Sequence, residues 1–585
     1  MYHFYRRNAG AAVGMVLLAV AASATAADYR AVTDQRLANP EPENWLSWRG
    51  NYEGWGYSPL DQINRDNIQD LVPVWSYSTG VSEGHQAPPI VNDGLMYVST
   101  PQNQIIALDA VSGTELWRYV RVLPEDLFQL HPTNRGVALY GDKVYMATLD
   151  ACVVALDAVD GSEAWETCVG DYTDGYYMTL SPLVAKNKVV VGVSGGEFGI
   201  RGYIVGLDAE TGAEAWKTYT VPGPGEPGHE TWQGDAWKTG GASVWMQGNY
   251  DTETGLAFFG TGNGGPWMPD TRPGDNLYAT SVVAIDVESG AIKGYHQYHW
   301  NDAWDWDEVS APLLIDLERD GATVKGLVHA GRNGYLWTLE RTPAGPIHFV
   351  DAQPYVRQDV FASIDPKDGR PSYHDDRIPG TNKTVTFCPS LWGGKDWPPE
   401  AYNPETGLFY IPAHENLCSE LGGVPMEERE PGELWIGIPI DVILSSLRFD
   451  ASVDPAQPVE IGQLQAWDLN KGEMVWSHGF EDSEFWGPLL TTAGNLVFTG
   501  GTTDRKFRAF DATTGEVVWE FTTNSGVTAQ PSSFAVDGKQ YIAVQSGWGV
   551  DAERMRALLA EMLPGRVPAV PQGGVIWVFA LKDQT

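Results

Sequence analysis

Six short segments of the chain collect residue types that do chemistry rather than fill a core. Glu197 stands beside glycines in SGGEFGIRGY (194–203), Asn263 in FGTGNGGPW (259–267), and Asp305 and Asp307 in NDAWDWDEVSAP (301–312), framed by Trp304 and Trp306. Arg332 and Asn333 fall in HAGRNGYLW (329–337), Lys395, Asp396 and Trp397 in LWGGKDWPP (391–399), and Trp245 closes GDAWKTGGASVW (234–245). Singly, each segment has an ordinary structural reading, since glycines make turns and an Asp beside a Trp often caps or accepts an indole hydrogen bond. Together they describe a site. Glu, Asn and two Asp side chains are hard oxygen donors, which suit Ca2+ or a lanthanide rather than zinc or copper. Arg332 and Lys395 suit a polyanionic group, Arg through a bidentate fork to carboxylate. The Trp245 ring offers a flat face to a planar one.

Such residues must be held by a scaffold, and the chain shows its scaffold as a repeat. Apolar residues, an Asp, a turn with Gly and then a Trp recur as IIALDAVSGTELW (105–117), VVALDAVDGSEAW (153–165) and IVGLDAETGAEAW (204–216). The pattern returns as VVAIDVESG (282–290), LQAWDLNKGEMVW (464–476) and FRAFDATTGEVVW (507–519). Each reads as a hairpin: a buried strand, an Asp accepting from the amides of its own turn, a Gly free to take positive φ, and a Trp that packs against the neighbouring repeat. Periods of this size predict propeller blades or a solenoid. The half-repeats LVPVWSYSTG (71–80) and GGVIWVFAL (573–581) are expected to complete one blade together and hide both edges. The expectation is an all-β, eight-bladed propeller of four-stranded antiparallel blades, closed by the N- and C-terminal strands. Its long loops, as between Asp208 and Asp286, gather on one face as the site.

Composition agrees with one large all-β body. Of 585 residues, 65 are Gly, 38 Pro and 24 Trp, with 43% hydrophobic and 19% charged. That excludes wholesale disorder, and the absence of a glycine period or heptads excludes collagen and coiled coil. The net charge, 38 − 76 = −38, argues against nucleic acid as a partner. Arg6 and Arg7 precede an apolar run from Ala11 to Ala22, and Ala24-Thr25-Ala26 supplies small residues for cleavage. Residues 1–27 therefore read as a secretory signal, the run being shorter than the roughly 20 residues of a membrane span. The mature chain, 28–585, is expected to be one domain in the periplasm with no membrane span. An oxidising compartment permits disulfides. Cys152 and Cys168 bracket one repeat and can staple its hairpin, while Cys388 and Cys418 can close a second loop. Four buried thiols are the alternative. No Cys-x-x-Cys-His motif occurs, so no attached haem is expected.

From about Trp45 to Leu581 these motifs, in this order, resemble the pyrroloquinoline quinone (PQQ) dependent alcohol dehydrogenases, including methanol dehydrogenase large subunits. The family fold is an eight-bladed propeller. The resemblance implies that Glu197, Asn263 and Asp305 bind a metal ion, Asp305 being also the catalytic base. It implies that Trp245 stacks under the quinone and that Arg135 (in NRG), Thr179 (in MTLSP), Ser194, Gly195, Gly196 and Ser243 hold PQQ's carboxylates and carbonyls. Arg332 resembles the Arg beside the reactive oxygens, and Lys395, Asp396 and Trp486 match further cofactor contacts. The implied reaction oxidises an alcohol to an aldehyde or ketone, Asp305 taking the hydroxyl proton and Arg332 steadying the developing oxyanion. A soluble cytochrome c is the family's usual electron acceptor, and the resemblance leaves room for a homodimer.

The chain departs from the pattern in two places. Gln129 and Leu130 stand where many members carry a vicinal Cys pair against the PQQ face, and Gln86 in GHQ replaces a Glu near a cofactor carboxylate. Asp307, two beyond the base, and Gly196 before Glu197 match the lanthanide-type members. Three carboxylates suit a trivalent ion, so a lanthanide is favoured over Ca2+. The loop 419–450 is expected to shape the entrance for a larger primary or secondary alcohol than methanol. A sugar or polyol dehydrogenase of the same fold remains the nearest alternative. A quinohaemoprotein and a cofactor-free binding propeller are weaker ones.

Overall fold

The computed structural model describes residues 29–319 and 321–582, so the signal segment expected over 1–27 lies outside the described residues. Each repeat folds as its sequence dictates. In the first, strands Gln104–Asp109 and Glu115–Val120 pair antiparallel. The Asp109 carboxylate accepts from the backbone N–H of Ser112 at 2.7 Å and of Val111 at 3.1 Å. Gly113 takes φ +71°, which costs a glycine little. The turns at Asp157, Asp208, Asp286, Asp468 and Asp511 are tied by the same carboxylate-to-amide bonds.

The Trp of each repeat stitches its sheet to the next. Trp117 donates to Ala158 O at 3.2 Å, Trp165 to Ala209 O at 3.1 Å and Trp216 to Val287 O at 2.9 Å. Each indole lies on the turn glycine of the following repeat; a Cβ at Gly212 would stand 2.6 Å from the Trp165 ring. Trp75 reaches Ala110 O, Trp476 reaches Ala512 O, and Trp519 reaches Leu71 O near the start of the chain.

Among the described residues this builds seven four-stranded sheets and one of five strands, all antiparallel except where Tyr57–Ser58 runs parallel to Leu490–Thr492. The fold is all-β and propeller-like. The two half-repeats do share a sheet: Leu71–Ser78 pairs with Val575–Leu581, Ser78 opposite Val575. Besides the short helices Asp34–Ala38 and Ile440–Ile443, one long element departs from the all-β expectation, a helix at Val550–Met562 inserted between two strands of that sheet. It buries Ala552, Met555 and Leu559 in a cluster with Trp48, Trp486 and Trp548. Both cysteine pairs are disulfides, Cys152–Cys168 across neighbouring strands and Cys388–Cys418. Among the described residues no helix is long and apolar enough to cross a membrane.

Candidate functional site

Connections between strands converge on a cavity of about 270 Å³. Of the expected site residues, Arg135, Thr179, Ser194, Gly195, Glu197, Trp245, Asp305, Asp307, Arg332 and Asp396 line it. Glu197 rides on a single turn, Gly196–Phe198, entered through Gly195 at φ +109°. A Cβ at Gly195 would stand 2.2 Å from Gly175 O, so both the conformation and the space require glycine. Gly196, Ser243 and Asn263 adjoin behind the wall: a Cβ at Gly196 would lie 3.4 Å from Ser243 Oγ and 3.8 Å from Asn263 Oδ1.

The Asp305–Asp307 segment is anchored by its tryptophans. Trp304 and Trp306 stack at 5.0 Å, and their indoles donate to Arg377 O and Ser390 O. Asp305 is held at φ +63°, an unusual conformation for a residue with a side chain. Its Oδ1 accepts from Asn263 Nδ2 at 2.8 Å. Asp307 Oδ1 accepts the Asn263 backbone N–H at 2.6 Å, and Oδ2 accepts the Trp245 indole N–H at 3.1 Å. The Arg332 guanidinium pairs with Asp396 and donates from Nη1 to Asp305 O at 2.8 Å. Arg135 donates to Thr179 Oγ1 at 2.5 Å and lies over the Trp245 ring, 4.7 Å from its centroid.

Burial dominates the electrostatics. It raises the Glu197 carboxyl above its usual range. It raises Asp305 well above its range, with Asp307 and Glu197 adding to the rise and Arg332 opposing it. Asp307 is pushed up to about 7 by burial, again against Arg332. Burial pulls Arg332 down, but Asp396, Asp307 and Asp305 outweigh it and hold the guanidinium charged. Three buried carboxyls raised in one cavity are favoured in their ionised forms by a cation among them, and hard oxygen donors of this kind suit a hard cation. The oxygens of Glu197, Asp305 and Asp307 are not gathered within 4.8 Å of one another as a group. For an acceptor-rich planar ligand the cavity offers the Trp245 ring and two buried N–H groups without partners, Arg135 Nε and Arg332 Nε. The residues present therefore fit both PQQ and a metal ion.

Besides Gly196, Ser243 and Asn263, three further expected contacts lie outside this lining. Lys395 Nζ is turned to Ser310 Oγ at 3.1 Å and to Glu400 at 3.4 Å. Trp486 belongs to the apolar cluster beneath Trp245. Gln86 is buried near Gly549, its Oε1 without a partner. Leu130, at the missing Cys pair, does reach the cavity, while Gln129 does not. His131, Tyr177, Asp551 and Arg554 join the wall with no signal in their local sequence. Asp551, on the Val550–Met562 helix, bonds His131 Nε2 at 3.1 Å and Arg554 Nη1 at 3.0 Å. Burial raises the Asp551 carboxyl, but His131 and Arg554 outweigh it and hold it below the usual carboxylate range.

Residues 45–364 and 369–542 match the family described as PQQ: Glucose/ethanol/alcohol dehydrogenase, beta-propeller domain. The chain is 38% identical over 604 residues to quinoprotein alcohol dehydrogenase PedH of Pseudomonas putida, covering 98% of this chain and 97% of that one. It is 34% identical to quinoprotein ethanol dehydrogenase of Pseudomonas putida, over 97% of this chain and 95% of that one. Among solved structures, a europium-containing methanol dehydrogenase superposes with TM-score 0.85 at 33% identity, covering 94% of this chain and 100% of the other.

Proposed function

The chain belongs to the PQQ-dependent alcohol dehydrogenase family, and from that premise we propose that it is a periplasmic enzyme oxidising a primary or secondary alcohol with a lanthanide ion at its centre. The observation that carries this reading is the cavity itself, which Glu197, Asp305, Asp307, Arg332 and Trp245 line together. Glu197, Asn263, Asp305 and Asp307 would hold the ion, and the charge of −3 they carry when ionised matches a trivalent cation better than a divalent one. Trp245, Arg135, Thr179, Ser194 and Gly195 would hold PQQ, with Gly196, Ser243, Gln86, Lys395, Asp396 and Trp486 supporting from behind. When bound, PQQ supplies the two-electron acceptor and the ion supplies Lewis acidity.

The protein's own part is proton handling and orientation. The Asp305 carboxyl, raised by burial, is a strong base once ionised and takes the hydroxyl proton of the alcohol. Arg332 is held charged between Asp396 and the Asp305 carbonyl, and offers its unpartnered Nε–H to the oxygen on which negative charge develops. Leu130, Trp267, Trp392, Leu434, Ile436 and Ile443 give the cavity an apolar share of its lining, which favours a hydrocarbon-bearing alcohol over methanol or a polyol. An external one-electron carrier, a soluble cytochrome c, completes the cycle, and the charge of −38 suits a basic one. The eight large sheets, with Trp519 reaching Leu71, support a closed eight-bladed ring.

The test is Asp305→Asn. The variant is expected to retain PQQ absorbance while turnover falls at least 10²-fold, in the range for loss of a general base. Turnover at the parent rate removes Asp305 from the role of base.

A further inference from the structure

Behind the cavity wall lies a set of ionisable groups that the proposed chemistry does not use. Asp302, Glu308, His299 and His329 are at most 2% exposed. His299 Nε2 meets Asp302 Oδ1 at 3.0 Å, its Nδ1 meets Asn333 Nδ2 at 3.5 Å, and Glu308 Oε1 stands 3.6 Å from that Nδ1, beyond hydrogen-bond reach. Glu308 Oε2 in turn meets His329 Nε2 at 2.7 Å. Both ends of this chain of contacts grip backbone. Asp302 accepts the N–H groups of Asp305 at 3.1 Å, Trp306 at 3.3 Å and Trp304 at 3.4 Å. Glu308 accepts those of Arg332 at 3.1 Å and Asn333 at 3.3 Å. Arg332 Nη1 then returns to Asp305 O. The contacts close a ring: Asp305 N–H, Asp302, His299, the Asn333 side chain, the adjoining Arg332 and its guanidinium, and Asp305 O, with Glu308 fixing the Arg332 and Asn333 N–H groups.

We propose that Asp302, His299 and Glu308 are positioning residues that lock Asp305 and Arg332 to each other through this buried ring; the inference rests on the reading of the cavity as a dehydrogenase site. Asp305 needs such a lock because its positive φ persists only where the surroundings over-determine it. A base and a cationic donor that must act on one substrate gain rate from a fixed mutual geometry, and a misplacement of about 1 Å costs on the order of 10²-fold. A set of independent local caps would use the same residue types without joining the two segments. Joining them is what the ring adds.

Two measurements test it on Asp302→Ala and the milder Asp302→Asn and Glu308→Gln. Hydrogen exchange on the apo-protein reads coupling without any cofactor. Asp302→Ala is expected to speed exchange at least ~10-fold in 301–307 and also in 329–337, where Asp302 makes no direct bond, while 507–519 stays unchanged. In the enzyme loaded with PQQ and La3+, each variant is expected to lower kcat about 10- to 100-fold, the usual cost of losing an outer-shell partner, with KM within about threefold of the parent. Asp302→Ala, which removes every acceptor, is expected to lose more than Asp302→Asn, which keeps one. Faster exchange confined to 301–307, an equal rise along the whole chain, or an unchanged kcat overturns the lock. If the parent enzyme itself does not turn over, the dehydrogenase reading fails, and the exchange result still decides whether the ring exists. If Asp302→Ala does not fold, Asp302→Asn and Glu308→Gln carry the same comparison.

Discussion

Asp307→Asn separates the two candidate ions. The change removes one negative charge from the site and little volume. At an effective dielectric near 20, a unit charge pair about 4 Å apart interacts by about 4 kcal/mol. A trivalent ion therefore loses about 12 kcal/mol of attraction and a divalent one about 8 kcal/mol. The difference, about 4 kcal/mol, is an upper figure of about a thousandfold in preference for La3+ over Ca2+. Water entering the site reduces it, and we expect at least a ~10-fold loss. The structure adds a second consequence. Asp307 accepts from Asn263 N–H and from the Trp245 indole. An Asn oxygen can keep the first bond, but its NH2 then faces the indole donor, at a cost of about 1–3 kcal/mol in stability. The assay titrates the apo-protein loaded with PQQ, following tryptophan-sensitised Tb3+ emission and its displacement by Ca2+, with thermal melting alongside. An unchanged ratio of lanthanide to Ca2+ affinity would refute the assignment of Asp307 to the ion.

Three further outcomes follow from the structure. Trp165→Ala removes an indole that seats on Gly212 and bonds Ala209 O, so denaturant unfolding is expected to show a loss of about 3–5 kcal/mol. The Glu484 carboxyl is raised to about 8 by burial, and both its oxygens lack partners. Being neutral in the fold and ionised when unfolded, it costs stability progressively as pH rises from the usual carboxylate value of about 4.3 to about 8, by up to ~5 kcal/mol. Glu484→Gln should therefore melt higher than the parent at pH 8, and the gap should close by pH 4. Each methylene of a linear alcohol that reaches the apolar wall is worth about 0.8 kcal/mol, so kcat/KM is expected to rise about threefold to fourfold per carbon over a short series, and Ile443→Ala should flatten that rise.

What the sequence announced, it announced through local rules. The Asp-turn-Gly-Trp repeat foretold hairpins because Asp109 ties its own turn and Gly113 needs positive φ, both within a few residues. It also foretold that the Trp would dock on a neighbour, since an indole at a strand start has little else to cover. Pairing of 71–78 with 575–581 was legible because two incomplete repeats stood at opposite ends. The lining of the candidate cavity was legible where a residue type was out of place in a turn, as at Glu197 or Asp305. Its far wall was not. Asp551 and Arg554 sit in an ordinary charged helix, and only the folding of that helix over the cavity brings them to His131. The partners of Lys395 were hidden for a related reason: a lysine in a Gly-Trp loop does not show that its ammonium faces Glu400. The ring through Asp302 and Glu308 was hidden because its carboxylates hold backbone amides, which carry no sequence signature.

The most direct test reconstitutes the purified chain with PQQ and either La3+ or Ca2+, then follows dye-linked oxidation across a panel of alcohols. The account predicts turnover with La3+, weaker or none with Ca2+, and higher kcat/KM for longer primary and secondary alcohols than for methanol. Failure to oxidise any alcohol with either ion, in protein that has bound PQQ, would contradict it.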